Sequence, residues 1–295
     1  MDSIGKYADG EMVRLASLGN GHAKTTFLRR EYELERQLVD VGTWIEHMRD
    51  YWHYSIYASV IYVVVIFTIQ RYMRDRPKFH LRRPLVAWNL ALAIFSIIGA
   101  VRSTTMLYLI VKEDGLYRSV CDHTYYLPGV VSAFKFWGVV FVHSKYFELI
   151  DTLFVVLRKQ KLIFLHWYHH ATVLIYCCLC HCELASSAYW FLTMNFIVHA
   201  FMYLYYAIRS TGYRLPVNIQ ISITIMQISQ MIFGCGVLIY ACVMKMAGIR
   251  CDVSNLNLTC GGIMYLSYFM LFAHFFYKTY FGKVSHSLAK SYKTE

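Results

Sequence analysis

Apolar runs of membrane-spanning length recur along this 295-residue chain, and they leave few folds open to it. A helix needs about 20 predominantly apolar residues to cross the hydrocarbon of a bilayer. Each run must satisfy its own backbone N–H and C=O groups there, and a helix does so within the segment. The runs fall at roughly 56–72, 85–111, 130–157, 164–183, 186–208, 216–245 and 261–281. They predict an all-α, polytopic membrane protein with seven transmembrane helices. Residues 1–50 read as a polar N-terminal tail, 51–285 as one integral domain and 286–295 as a second, cytosolic tail.

Residues of the hydrophobic set make up 57% of the chain and charged residues only 16%, which suits a membrane solvent. The formal charge is +11, but the excess sits in short loops between apolar runs, which is a topology signal and argues against nucleic-acid binding. Arg71, Arg74, Arg76, Lys78, Arg82 and Arg83 form the most basic short connection and are expected to face the cytosol. Counting alternately, Arg158–Lys161, Arg209–Arg214 and the C-terminal tail join them. The N-terminus, Cys121, the Cys251–Cys260 loop and the sequon at Asn257 then fall on the lumenal side, where thiols oxidise and glycans are added. The first 50 residues show no short apolar core followed by a cleavage site, so no removable signal peptide is expected. Pro77, Pro84, Pro128 and Pro216 all lie at predicted loop–helix junctions, where a missing N–H costs least. Cys177, Cys178, Cys180 and Cys182 read as small buried hydrophobes.

Chemistry enters with Leu165-His166-Trp167-Tyr168-His169-His170. On a helix, positions i, i+3 and i+4 share a face, so His166, His169 and His170 form one imidazole patch within hydrocarbon. Imidazole can accept or donate a proton, bind a metal or attack a carbonyl near neutral pH. In the third run Lys145, Glu148, Asp151 and Thr152 fall within about a 120° arc. Each ionisable group at the bilayer centre costs roughly 2.5–3.5 kcal/mol on insertion scales, against about 0.3–0.6 returned per apolar residue. Such groups have to face the protein interior and neutralise one another. The fifth run adds Asn195 and a row of His199, Met202, Tyr203 and Tyr206, with Tyr205 at its edge. The sixth carries Thr224, Gln227 and Gln230 at i, i+3 and i+6. His143 and His181 lie near these rows and read as structural.

Four consecutive helices thus each carry one polar stripe, and the economical arrangement turns all four inward around a common chamber. Six of the seven helices are expected to surround it. Its cytosolic mouth would be ringed by Arg158, Lys159, Lys161 and Arg209. A greasy interior with a basic rim describes a ligand with an anionic head and an apolar tail, and an acyl-CoA meets both requirements.

KxxExxDT (Lys145–Thr152), HxxHH (His166–His170), HxxMYxYY (His199–Tyr206) and TxxQxxQ (Thr224–Gln230) resemble, in order and spacing, the four signatures of the ELO family of fatty acid elongases. The HWYHH form of the box, the segment Leu157–Phe164 and the Cys121-Asp122 loop are most similar to the animal elongase 6 and 3 branch. That resemblance implies an endoplasmic reticulum enzyme that condenses long-chain acyl-CoA, chiefly saturated or monounsaturated, with malonyl-CoA. The products would be 3-oxoacyl-CoA, CO2 and CoA, and no bound cofactor or metal is implied. It further implies an acyl-imidazole carried by His169. On the stripes, His166 and His170 are expected to orient His169 or take its proton, and Glu148 and Asp151 to fix the imidazole tautomers. His199 and Asn195 are expected to stabilise oxyanion or enolate charge. Lys145, Arg158, Lys161, Tyr205, Tyr206, Thr224 and Gln227 are assigned to the CoA portion or the product. The resemblance also implies a lumenal disulfide between Cys121 and Cys251, with Cys260 as the competing partner. Membrane lipid, a second copy of the chain and the other enzymes of the elongation cycle are the expected partners.

Two other readings fit the composition. A membrane di-iron desaturase or hydroxylase also uses histidine boxes in an apolar chain, but needs roughly eight histidines in several clusters, and HxxHH occurs once here. A receptor or channel fits seven spans, yet ionisable stripes on adjacent helices suit a reaction chamber better.

Overall fold

The computed structural model describes residues 41–122 and 128–281, all of them helical or in short connections. The helices are α1 (Val41–Tyr51), α2 (Tyr54–Tyr72), α3 (Arg82–Cys121), α4 (Pro128–Glu148), α5 (Ile150–Leu157), α6 (Phe164–Cys182), α7 (Ala188–Ser210), α8 (Val217–Met246) and α9 (Asn255–Phe276), closed by a π-helical turn over Tyr277–Phe281. The C-terminal tail and most of the N-terminal one lie outside the described residues.

α3, α4, α6, α9, α8 and α7 touch one another in that order and return to α3, a closed circuit of six. α2 packs outside it, against α6 and α5. Ile, Val and Phe side chains such as Val60, Ile61, Ile98, Val101, Phe233, Ile239 and Ile263 point outward along this circuit and α2. An apolar exterior of that extent is the mark of a lipid-facing surface. Five helices, α2, α3, α7, α8 and the α9 segment, are long and apolar enough to cross a membrane. The α4–α5 and α6 segments fall outside that set, since they hold Lys145, Glu148, Asp151 and the histidine box.

Close packing has a sequence cause. Asn89, Ala93, Ser96, Gly99 and Ser103 recur along one face of α3 and are all buried, and small residues let membrane helices approach. The contact of α3 with α7 is the most extensive in the molecule. At its centre a Cβ on Gly99 would stand 2.7 Å from the Phe196 ring. Around this contact Met106, Ile110, Trp137, Phe141 and Leu192 complete one core; Tyr176, Met231, Leu238, Met264, Tyr265 and Tyr268 build another between α6, α8 and α9.

Two ends are chemically distinct. At one, the three basic loops meet: Lys159 Nζ donates to the Arg74 carbonyl at 2.9 Å and Arg82 Nε to the Ser210 carbonyl at 3.1 Å. At the other, a disulfide joins Cys121 to Cys251, Asp252 N donates to the Cys121 carbonyl at 2.7 Å, and Tyr117 OH donates to the Arg250 carbonyl. Cys260 is a free thiol on α9. α8 ends near this point because Gly248 adopts φ +75°, the left-handed cap conformation in which Ile249 N reaches back to the Met244 carbonyl.

Several expectations need correction. The third span is two helices, separated by a tightened turn in which Leu149 N bonds to the Tyr146 carbonyl and Thr152 N to the Leu149 carbonyl, both at 3.3 Å. α3 continues past the apolar run to Cys121, interrupted only at Gly115. α1 lies within the expected polar tail and buries Met48 against Val142, Leu174 and Cys178. The sequon at Asn257 is not open to a glycan. Asn257 is fully buried, accepting from the Tyr176 hydroxyl at 3.0 Å and donating to Cys180 Sγ at 3.3 Å, behind the Ser254 cap of α9.

Gly99→Val should lower stability by about 1–3 kcal/mol through overpacking, seen as a lower thermal midpoint in detergent micelles. Peptide mapping without reduction should recover a Cys121–Cys251 cross-link and Cys260 as a free thiol.

Candidate active site

The charged stripe of α4 and α5 divides among its neighbours, because the turn at Leu149 separates its two halves. Lys145 and Glu148 are each only 2% exposed. Lys145 Nζ donates to Glu148 Oε1 at 2.7 Å and to Asn195 Oδ1 at 2.8 Å, and lies 4.3 Å from the Phe141 ring centre. With its oxygen held by the ammonium, Asn195 turns its amide nitrogen to His199 Nε2 at 3.1 Å. An amide nitrogen only donates, so Nε2 accepts and the neutral ring carries its proton on Nδ1. That atom faces Glu148 Oε2 at 3.9 Å, a buried oxygen with no hydrogen-bond partner. Lys145, Glu148, His199 and Asn195 therefore close into one circuit across α4 and α7.

Asp151 and Thr152 turn elsewhere. Asp151 accepts from Trp88 Nε1 at 2.5 Å and from the Tyr203 hydroxyl at 2.7 Å, bridging α3 and α7. Thr152 sits between the Tyr62 hydroxyl at 2.7 Å and His166 Nε2 at 3.0 Å. The expected tautomer roles are thus redistributed. The nearest carboxylate to an imidazole is Glu148, beside His199, while Thr152 holds His166 and Asp151 touches no histidine. The rings of His166 and His170 lie 4.7 Å apart and those of His169 and His170 5.5 Å apart. His170 Nδ1 is buried without a partner. His169 packs 4.9 Å from the Tyr268 ring, whose hydroxyl donates to the His169 carbonyl at 3.2 Å.

Two compartments meet inside the circuit. One, of about 580 Å3, gathers most of the polar groups on a partly apolar wall: His166, His170, His199, Asp151, Tyr203, Tyr206 and Gln227 line it, and Arg158, Gln160 and Arg209 stand on its wall toward the basic end. The other is narrow and mostly apolar, running along Phe141, Val142, Val173, Cys177, Leu192 and Tyr265 to Leu184, Ala185 and Tyr189 near the disulfide end. His169, Asn195, Gln230 and Met231 belong to both walls, so the box histidine stands at the junction.

Other expected residues do not reach these walls. Lys145 and Glu148 lie behind them in their ion pair, and Thr224 is buried with its hydroxyl on the Gln220 carbonyl at 3.0 Å. Lys161 is exposed beyond the rim, and Tyr205 stands off the wall beside Tyr206. Tyr203, Trp88 and Thr152 take parts that sequence reasoning did not assign. Tyr203 is within a recognised row and was legible there; nothing near Trp88 in the sequence points to Asp151, 63 residues away. Among the described residues no three His, Cys, Asp or Glu side chains converge as a metal site would require.

Because a lone buried charge is so unfavourable, Glu148→Ala should destabilise the protein by about 3–5 kcal/mol, while Lys145→Met with Glu148→Leu should recover most of that loss. Denaturant or thermal unfolding of the three proteins in micelles measures it.

A family model, that of the ELO (GNS1/SUR4) family, matches residues 47–287. The chain is similar to very long chain fatty acid elongase 6 of Gallus gallus, 46% identical over 87% of this chain and 95% of that protein. It is also similar to the Homo sapiens protein of the same name, 45% identical over 86% and 94%. Very long chain fatty acid elongase 3 of Homo sapiens is 41% identical over 78% and 84%. With a family match across nearly the whole described region and relatives of this identity along almost their full length, the chain belongs to the ELO family.

Proposed function

We propose that the chain performs the condensing step of fatty acid elongation, converting acyl-CoA and malonyl-CoA to 3-oxoacyl-CoA, CO2 and CoA. One observation carries the reading: His169 lies where a wide compartment with Arg158 and Arg209 on its wall meets a narrow, mostly apolar one. A thioester whose phosphates face the arginines and whose tail fills the narrow compartment has its carbonyl at His169. The relatives are named very long chain fatty acid elongases, which supports long fatty acyl chains as substrates.

An imidazole nitrogen of His169 attacks the thioester carbonyl, the C–S bond breaks and CoA leaves as the thiol. His170 and His166 supply the neighbouring sites through which the displaced proton moves. The acyl-imidazole is activated toward a carbanion, and two transfers divide one hard condensation into easier steps. Malonyl-CoA then loses CO2, the resulting enolate attacks the acyl carbonyl, and the C–N bond breaks as the leaving imidazole takes a proton from solvent by way of His170 and His166. Asn195, on the wall of both compartments, provides the second N–H of its amide as a donor for the enolate oxygen, and His199, accepting the first, holds that amide in place. Lys145 and Glu148 act one layer back, by setting the orientation of Asn195. Gln227 and Tyr206 line the path of the CoA arm. The separation of a basic end from a disulfide end supports an endoplasmic reticulum orientation with the arginine mouth cytosolic and the N-terminus lumenal, through seven spans.

His169→Ala should abolish both malonyl-CoA-dependent incorporation of label into product by microsomes and the acyl adduct on the peptide holding residue 169. Incorporation at the wild-type rate would remove His169 from this role. Asn195→Ala should lower kcat by about 10²–10³-fold, the loss seen when one oxyanion donor is removed.

A further inference from the structure

The narrow compartment is apolar along its length but does not end on apolar groups. His181 lies on its wall, nine-tenths buried, near Leu184 and Ala185 at the disulfide end. Its Nε2 has no hydrogen-bond partner. Gly138 allows this placement, since a Cβ there would come within 3.3 Å of His181 Nδ1. Among the described residues with such an unpaired buried atom, only His170 and His181 line either compartment. His170 belongs to the histidine box; the mechanism leaves His181 without a task.

His181 is 12 residues beyond His169 on the same continuous helix, a rise of about 18 Å. That is the reach of an extended long-chain acyl tail anchored at His169. An imidazole nitrogen buried with nothing to bind is unfavourable. A methyl-terminated tail leaves that cost in place, whereas a hydroxyl on the last carbon removes it. A hydroxyl can donate to the nitrogen or accept from it, so it suits either neutral tautomer. Lys135 lines the same compartment but has an interaction of its own, so an ω-carboxylate would still add a charge to a mostly apolar channel and is less suited.

Resting on the elongase reading, we propose that His181 recognises a polar ω-terminus, and that the protein accepts ω-hydroxyacyl-CoA as a substrate alongside methyl-terminated acyl-CoA. A turn of the His181 ring brings Nε2 to the hydroxyl at this end while the thioester meets His169 at the other. His181 is a specificity residue; it touches the tail, not the reacting atoms.

The test compares hexadecanoyl-CoA with 16-hydroxyhexadecanoyl-CoA, each with malonyl-CoA and the full-length protein in membranes. Wild type should extend the hydroxylated substrate with kcat/KM within tenfold of the methyl-terminated one. His181→Phe, which keeps a ring without nitrogens, should lower the ratio of hydroxylated to methyl-terminated kcat/KM by at least tenfold, and His181→Gln should restore part of it. An unchanged ratio in His181→Phe, as expected if the nitrogen merely holds a water molecule, overturns the proposal. If His181→Phe does not accumulate, wild type alone decides, and more than 100-fold rejection of the hydroxylated substrate overturns it. Failure of wild type to extend even hexadecanoyl-CoA would instead strike the elongase reading.

Discussion

The contact between Lys145 and Glu148 constrains everything around it. Both groups sit in a helix surrounded by apolar neighbours, and neither survives there as an isolated charge. Their pairing at 2.7 Å removes that problem and fixes α4 against α7, because the ammonium also requires the Asn195 carbonyl. Asn195 thereby loses its freedom to flip, and His199 receives a defined proton position. A buried ion pair of this kind adds little net stability; its value here is geometric, since one charge dictates the orientation of two polar groups on another helix.

The chamber's division follows from which side chains α6 presents at each level. Nearer its N-terminus come His166, His169 and His170; further along come Val173, Cys177 and Cys180, all turned inward. On the proposed reading, a substrate with a charged head and an apolar tail lies with its head toward Arg158 and Arg209 and its reacting carbonyl at the boundary. On the proposed reading, the apolar lining of the narrow compartment would keep water from an activated acyl group. Small residues on α3, Gly99 above all, let it pack closely on α7, the helix that carries Asn195 and His199.

Much of this was legible in order. Periodicity placed the apolar helices, and the i, i+3, i+4 spacing of the box placed three imidazoles on one face. The stripe of α4 and α5 was legible as polar and inward-facing. Its division was not, because a regular 100° advance assumes an unbroken helix and the turn at Leu149 breaks it. α1 escaped notice because its apolar face is short and set among charges. Asn257 carries the signature of a glycosylation site, yet its amide is internal, as a three-residue pattern holds no information about burial. His181 looked like a structural histidine for the same reason.

The chain's order of residues by itself determined that the protein enters a membrane, that its charges must pair inside, and which short motifs carry imidazole, carboxylate and amide groups. These follow from local spacing and from the cost of polar groups in hydrocarbon, neither of which needs a partner helix. Tertiary structure alone decided that Asp151 meets Trp88 and Tyr203, that His169 stands where two compartments join, and that Cys251 rather than Cys260 lies against Cys121. Each of these depends on the relative rotation and depth of helices far apart in sequence, and those are set by packing around residues such as Gly99 rather than by any local pattern.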